Sequence, residues 1–165
     1  MARRRQIVKD LKGAKLLDTR PPFIPHAKNY RGSRRAGIIY EHAVAAHLLT
    51  LYGEDLVQHG PWFQYTDRRG DGWCSPDFII DLGEGAPLVI ADATLTVKAA
   101  KERKLRHIYL PVLAAVWPDR DIKLLQIAKN LRRDWDDVLV DSVEELIEAQ
   151  GLDFATWILK NVKVH

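Results

Sequence analysis

The chain has 165 residues, of which 47% are hydrophobic and 28% charged, with a net charge of +3. This is enough for one domain with a real core, and the composition excludes a disordered chain. No apolar run reaches the roughly 18 residues of a membrane span, no long apolar stretch follows Met1-Ala2-Arg3-Arg4-Arg5 as a secretory leader requires, and a single cysteine, Cys74, excludes an internal disulfide or a cysteine zinc cluster. The expectation is a soluble intracellular protein of the cytoplasm, with no membrane partner.

Residues 1–35 form a basic N-terminal arm, with 11 Lys/Arg against 2 Asp/Glu, whereas residues 36–165 carry 14 against 20. A basic arm on an acidic core is attracted to a polyanion such as DNA or RNA. The plainer alternative is a solvated leader. Ile7, Val8 and Leu11 predict a short basic helix within Met1–Asp18, which Pro21, Pro22 and Pro25 end. Thr19 to Arg35 is expected to be an extended loop.

Ala36 to Tyr52 reads as a helix, because Ile38, Ala45, Leu48, Leu49 and Tyr52 recur at three- and four-residue spacing and Gly53 stops it. Glu41 shares that apolar face, either as an edge residue or as an acid buried for a purpose. Asp55 to Tyr65 reads as a strand, with Pro61 marking an edge or a bulge. Asp67-Arg68-Arg69-Gly70-Asp71-Gly72 predicts a hairpin turn with Asp-Gly as its signal. It is no calcium loop, since the twelfth residue from Asp67 is Phe78 and not Glu.

Two short apolar runs follow, Phe78-Ile79-Ile80 and Leu88-Val89-Ile90, with Gly83, Gly85 and Pro87 between them. They predict neighbouring strands joined by a turn. Asp77 opens the first and Asp92 closes the second. A lone buried carboxylate is costly, but two brought together can hold a divalent cation. Lys98 to about Val116 predicts a second helix, basic at its start and divided by Pro111. Ile122 to Ala128 reads as a buried strand, Leu131 to Trp135 as a basic connection and Asp137 to Val140 as a short strand. Ser142 and Glu145 form a capping box that opens a helix through Ala149, and a last amphipathic helix is expected over about Asp153–Val162. The histidines give no zinc motif; His42 and His47 lie five apart, and His59 and His107 read as surface or half-buried polar residues.

Glu41, Asp77 and Asp92 thus lie on three elements that can converge at one edge of a small mixed sheet. Such oxygen ligands suit Mg²⁺ or Mn²⁺. Nearby basic segments offer a hold on a phosphate backbone.

The arrangement resembles the PD-(D/E)XK nuclease superfamily. The matching pieces are Tyr40-Glu41 on the first helix, Pro76-Asp77-Phe78-Ile79-Ile80 at the head of one strand, and Val89-Ile90-Ala91-Asp92-Ala93-Thr94 on the next. The resemblance spans about Gly37 to Ala128. It implies a restriction-endonuclease-like α/β fold, a single domain whose mixed sheet of four to five strands is flanked by helices. It also implies Mg²⁺-dependent hydrolysis of DNA phosphodiester bonds, with Asp77, Asp92, Glu41 and the Ala93 carbonyl as metal ligands.

Where that pattern has lysine this chain has Thr94, which can position water but carries no charge. Either Lys98, Lys101 or Lys104 supplies the cation, or the core has kept binding and lost catalysis, or residue 94 is an altered position. By the rise of an extended strand, Lys98 would lie about 13 Å beyond Thr94. Arg34, Arg35, Lys101, Lys104 and Arg106 are the expected phosphate contacts. The implied setting is a phage, a mobile element or DNA repair and recombination, with a homodimer or a partner in a larger DNA-processing assembly. The alternative is a non-catalytic DNA-binding or assembly subunit on a degenerate nuclease core.

Overall fold

A computed structural model describes residues 7–24, 31–132 and 137–162. In chain order the elements are β1 (Gly13–Leu16), α1 (Ser33–Tyr52), β2 (Val57–His59), β3 (Phe63–Asp67), β4 (Gly70–Cys74), β5 (Phe78–Asp81) and β6 (Leu88–Thr96). Then come α2 (Ala99–Lys104), a π turn (Leu105–Tyr109), α3 (Leu110–Val116), β7 (Ile122–Asn130), β8 (Leu139–Val140), α4 (Val143–Glu148) and β9 (Phe154–Ile158).

Six strands form one mixed sheet in the order β2-β5-β6-β7-β9-β8. The β2, β5 and β6 pairings are antiparallel; β6 with β7, β7 with β9 and β8 with β9 are parallel. The central strands β6 and β7 are covered on both faces, which suits their near-continuous apolar sequence. On one face α1 and α4 bury Tyr40, Val44, Leu48, Val143 and Leu146 against Phe78, Ile80 and Val89. On the other, Leu105, Tyr109, Val112 and Leu113 pack with Ile79, Ile90 and Leu124, and with Phe63 and Tyr65 from a second sheet. Each fully buried large apolar side chain contributes about 1.5–3 kcal/mol. The second sheet has three antiparallel strands, β1-β3-β4.

The architecture is α/β in one domain, as the sequence implies, but several expectations are corrected. The main sheet has six strands and not four or five, and a separate three-stranded sheet stands beside it. Asp55–Tyr65 is two strands belonging to different sheets; the chain crosses between them at Gly60, which has a positive φ of 66°, and Pro61. The hairpin turns at Arg68-Arg69, and Asp71-Gly72 lies within β4.

Of the expected basic helix, residues 1–6 lie outside the described residues, and Gly13–Leu16 is a strand on β3. The expected final helix is β9: Phe154, Trp157 and Ile158 mimic helical spacing, but the segment's backbone pairs with β7 in the buried sheet. The C-terminal part therefore holds one described helix, α4, with Glu145 N–H donating to Ser142 Oγ at 3.1 Å as the cap. The expected connection at Leu131–Trp135 falls partly outside the described residues.

Pro111 does not break the second helix. It has no N–H to offer the carbonyl of His107, four residues back. That carbonyl accepts instead from Val8 N–H at 3.0 Å, and the π turn lies immediately before. The arm is further fixed by Lys12 N–H to the Thr66 carbonyl at 2.8 Å and by Lys9 N–H to Asp67 Oδ2 at 3.1 Å. Burial raises the pKa of Asp67, but hydrogen bonds from the Arg69 side chain and from the Lys9 and Arg69 amides outweigh it and bring the value to about 2.

Candidate active site

Phe78 pairs with Ala91 and Ile79 with Ile90, so the register continued one step brings Asp77 opposite Asp92. The two acids are locked reciprocally. Asp77 N–H donates to Asp92 Oδ1 at 3.0 Å, and Ala93 N–H donates to Asp77 Oδ2 at 2.8 Å. Asp92 is 1% exposed, and its Oδ2 has no hydrogen-bond partner among the described residues. Burial and the neighbouring charges of Asp92 and Glu41 push the pKa of Asp77 well above the usual carboxylate range. Asp92 is raised as well, by burial, against the opposing pull of Lys101.

Glu41 comes from the other side, on the third turn of α1. Burial pushes its pKa up, but hydrogen bonds to His59 and Asp77 and the nearby imidazoles bring it below normal. Its Oε2 lies 2.8 Å from His59 Nε2. His59 ends β2 and stacks on Phe78 with ring centroids 5.0 Å apart, and His42 meets it edge-on at 5.6 Å. His59 thus ties the helix acid to the Phe78 ring, next in sequence to Asp77, a role its sequence position did not signal.

A cation from α2 reaches the acids. Lys101 Nζ is 3.9 Å from Asp92 Oδ2, and Lys104 also acts on Asp92 through its charge. Lys98 is exposed at the start of α2, where its backbone N–H donates to Gln126 Oε1 at 2.9 Å. Thr94 is buried, and its hydroxyl donates to the Thr96 carbonyl at 3.0 Å.

Arg34 and Arg35 are exposed on the first turn of α1. Arg34 is seven residues from Glu41 and so shares its side of the helix. Arg106 is exposed, pairs with Glu102 at 3.0 Å and lies over the Phe154 ring.

Gln126 also escaped the sequence reading. It is fully buried, is directly paired with Asp92 across the parallel β6–β7 register, and has an Nε2 without a partner among the described residues. Its signal was a polar residue inside the apolar run Leu124–Ala128. Cys74 is buried and its thiol is pushed up to about 12 by burial, which removes it as a nucleophile.

Among the described residues no three or more His, Cys, Asp or Glu side chains form a ready-made metal cluster. The donor set nonetheless suits a hard divalent cation. It consists of carboxylate oxygens, one of them buried without a hydrogen bond, crowded so closely that they resist ionising together. Leaving such an oxygen unpartnered costs about 1–3 kcal/mol. No model of a known protein family matches the chain, and no curated protein or solved structure matches it.

Proposed function

We propose that the chain is a metal-dependent nuclease that hydrolyses DNA phosphodiester bonds, with a restriction-endonuclease-like core. The observation that carries this reading is the buried, reciprocally locked Asp77–Asp92 pair with Lys101 beside it. Asp77 and Asp92 would hold Mg²⁺ or Mn²⁺, with Glu41 and the Ala93 carbonyl as further ligands. A divalent ion held there would help activate a water as nucleophile and would neutralise charge on the phosphate.

The chain's own groups do the rest. His59 fixes the Glu41 carboxylate by its hydrogen bond and its stack on Phe78. Lys101 takes the part that a lysine at position 94 would take, stabilising charge that builds on the phosphate oxygens. Gln126 can donate its unused Nε2 hydrogens to an oxygen beside Asp92. Arg34, Arg35, Lys104 and Arg106 hold flanking phosphates, and Lys98, exposed at the start of α2, adds to that hold.

The test is a cleavage assay on linear, circular and branched DNA with Mg²⁺ or Mn²⁺. The expected result is cleavage by the parent and none by Asp77→Ala; its preferred substrate names the subclass.

A second reading is favoured by Thr94, whose hydroxyl is committed to its own strand. On that reading the protein is a non-catalytic DNA-binding or assembly subunit. It predicts DNA binding that persists in chelator and no cleavage with any metal. Cleavage by Thr94→Lys alone would identify an intact site that lacks its cation.

A further inference from the structure

Beside the acids lies a cleft of about 590 Å³ that the proposed reaction does not use. Its walls are the strap after β1, with Asp18, Thr19 and Arg20, and the β2–β3 connection, with Gln58, His59 and Trp62. Both walls are held in place: Leu17 N–H donates to the Trp62 carbonyl at 2.9 Å, and Gly60 N–H donates to the Asp77 carbonyl at 2.8 Å.

The cleft and the acid pair therefore share a partition. His59 faces the cleft and bonds Glu41, while the residue after it bonds the backbone of Asp77.

Its size and lining select the occupant. The volume falls within the range of single small-ligand sites, too small for a duplex. Trp62, half-buried in the cleft wall, offers aromatic surface of the kind on which unpaired bases stack. Gln58, Asp18 and Thr19 offer the mixed donors and acceptors that read a base edge. A paired base has its edge occupied and its faces stacked, and so cannot use these groups.

We propose that this cleft binds an unpaired nucleotide next to the phosphate that is cut, so that the preferred substrate is duplex DNA carrying a flap, overhang or splayed base at that point. This rests on the nuclease reading above and names its substrate class.

Binding is measured by fluorescence anisotropy on the full chain in chelator, so that cleavage is not required. The probes are a blunt duplex and the same duplex with a one-nucleotide flap carrying 2-aminopurine. The parent should bind the flapped duplex about tenfold more tightly, as expected for one stacked base, and should quench the 2-aminopurine. Trp62→Ala should lose both the preference and the quenching while keeping its blunt-duplex affinity, and Trp62→Phe should retain most of both. Gln58→Ala, at an exposed position, should weaken the preference without removing the quenching.

Equal binding of the two duplexes by the parent, or a preference that survives Trp62→Ala, would overturn the cleft proposal alone. A flap preference without cleavage in Mg²⁺ or Mn²⁺ would overturn the catalytic reading and leave the cleft assigned. Binding to neither duplex would overturn both.

Discussion

Asp77 lies where burial and two carboxylates oppose its ionisation, and this sets a testable cost. A carboxyl whose folded pKa is raised stabilises the protein at low pH and loses that contribution as pH rises through the folded value. Asp77→Asn cannot ionise and escapes the loss. In chelator at neutral pH it should melt above the parent. The gap should close as pH falls toward the ordinary value of 3.8. A variant that melts below the parent at every pH would show that the acids are not in conflict.

Lys101, 3.9 Å from Asp92, gives a second residue-level prediction. Lys101→Ala should lower cleavage by about 100-fold or more, the usual cost of losing one stabilising donor of transition-state charge. Thr94→Ala should stay near parental activity, because its hydroxyl is spent on the Thr96 carbonyl. Activity lost with Thr94 and kept without Lys101 would reverse these roles.

Among the elements, the least expected connection is the docked arm. Asp67 gathers Lys9 N–H, Arg69 N–H and the Arg69 guanidinium in a site from which water is excluded. Asp67→Ala leaves these donors without their acceptor and should destabilise the protein by about 1–3 kcal/mol in chemical denaturation. Because the Asp67 pKa is lowered to about 2, the parent's advantage should be full above the ordinary value of 3.8 and vanish as pH falls through about 2. A difference that persists below that point would mean that packing, not charge, ties the arm.

The same segments mark what the sequence made legible. Asp77 and Asp92 could be read because each bounds an apolar run and glycines turn the chain between them. The pairing of Glu41 with His59 could not, since 17 residues of helix end, loop and strand separate them and only the fold closes the gap. Residues 154–158 were misread because five residues are too few to separate a period of two from one of 3.6. Gln126 left a trace, a polar side chain within a strand otherwise apolar, whose meaning depended on which strand lay beside it.

At the scale of the whole molecule, the acids repel the very polyanion they are proposed to cut. The 11 Lys/Arg of the first 35 residues, with Lys101, Arg103 and Lys104 of α2, oppose that repulsion. The asymmetry was plain in the sequence; the layering was only partly so, because the three-stranded sheet recruits part of the arm as β1. Each phosphate that a cation neutralises adds about one to the salt slope of DNA binding. Arg34→Ala with Arg35→Ala should therefore reduce that slope by up to about two while leaving metal binding unchanged. An unaltered slope would remove the start of α1 from the interface.

The most direct test of the central claim is a calorimetric titration of Mn²⁺ into the metal-free protein, repeated in buffers of different ionisation enthalpy. The parent should bind the ion at millimolar concentration or tighter and release protons, because a cation between Asp77 and Asp92 displaces those that crowding keeps on the acids. Asp92→Asn should abolish both. No binding by the parent, or binding untouched by Asp92→Asn, would contradict the assignment of this acid pair as a metal site.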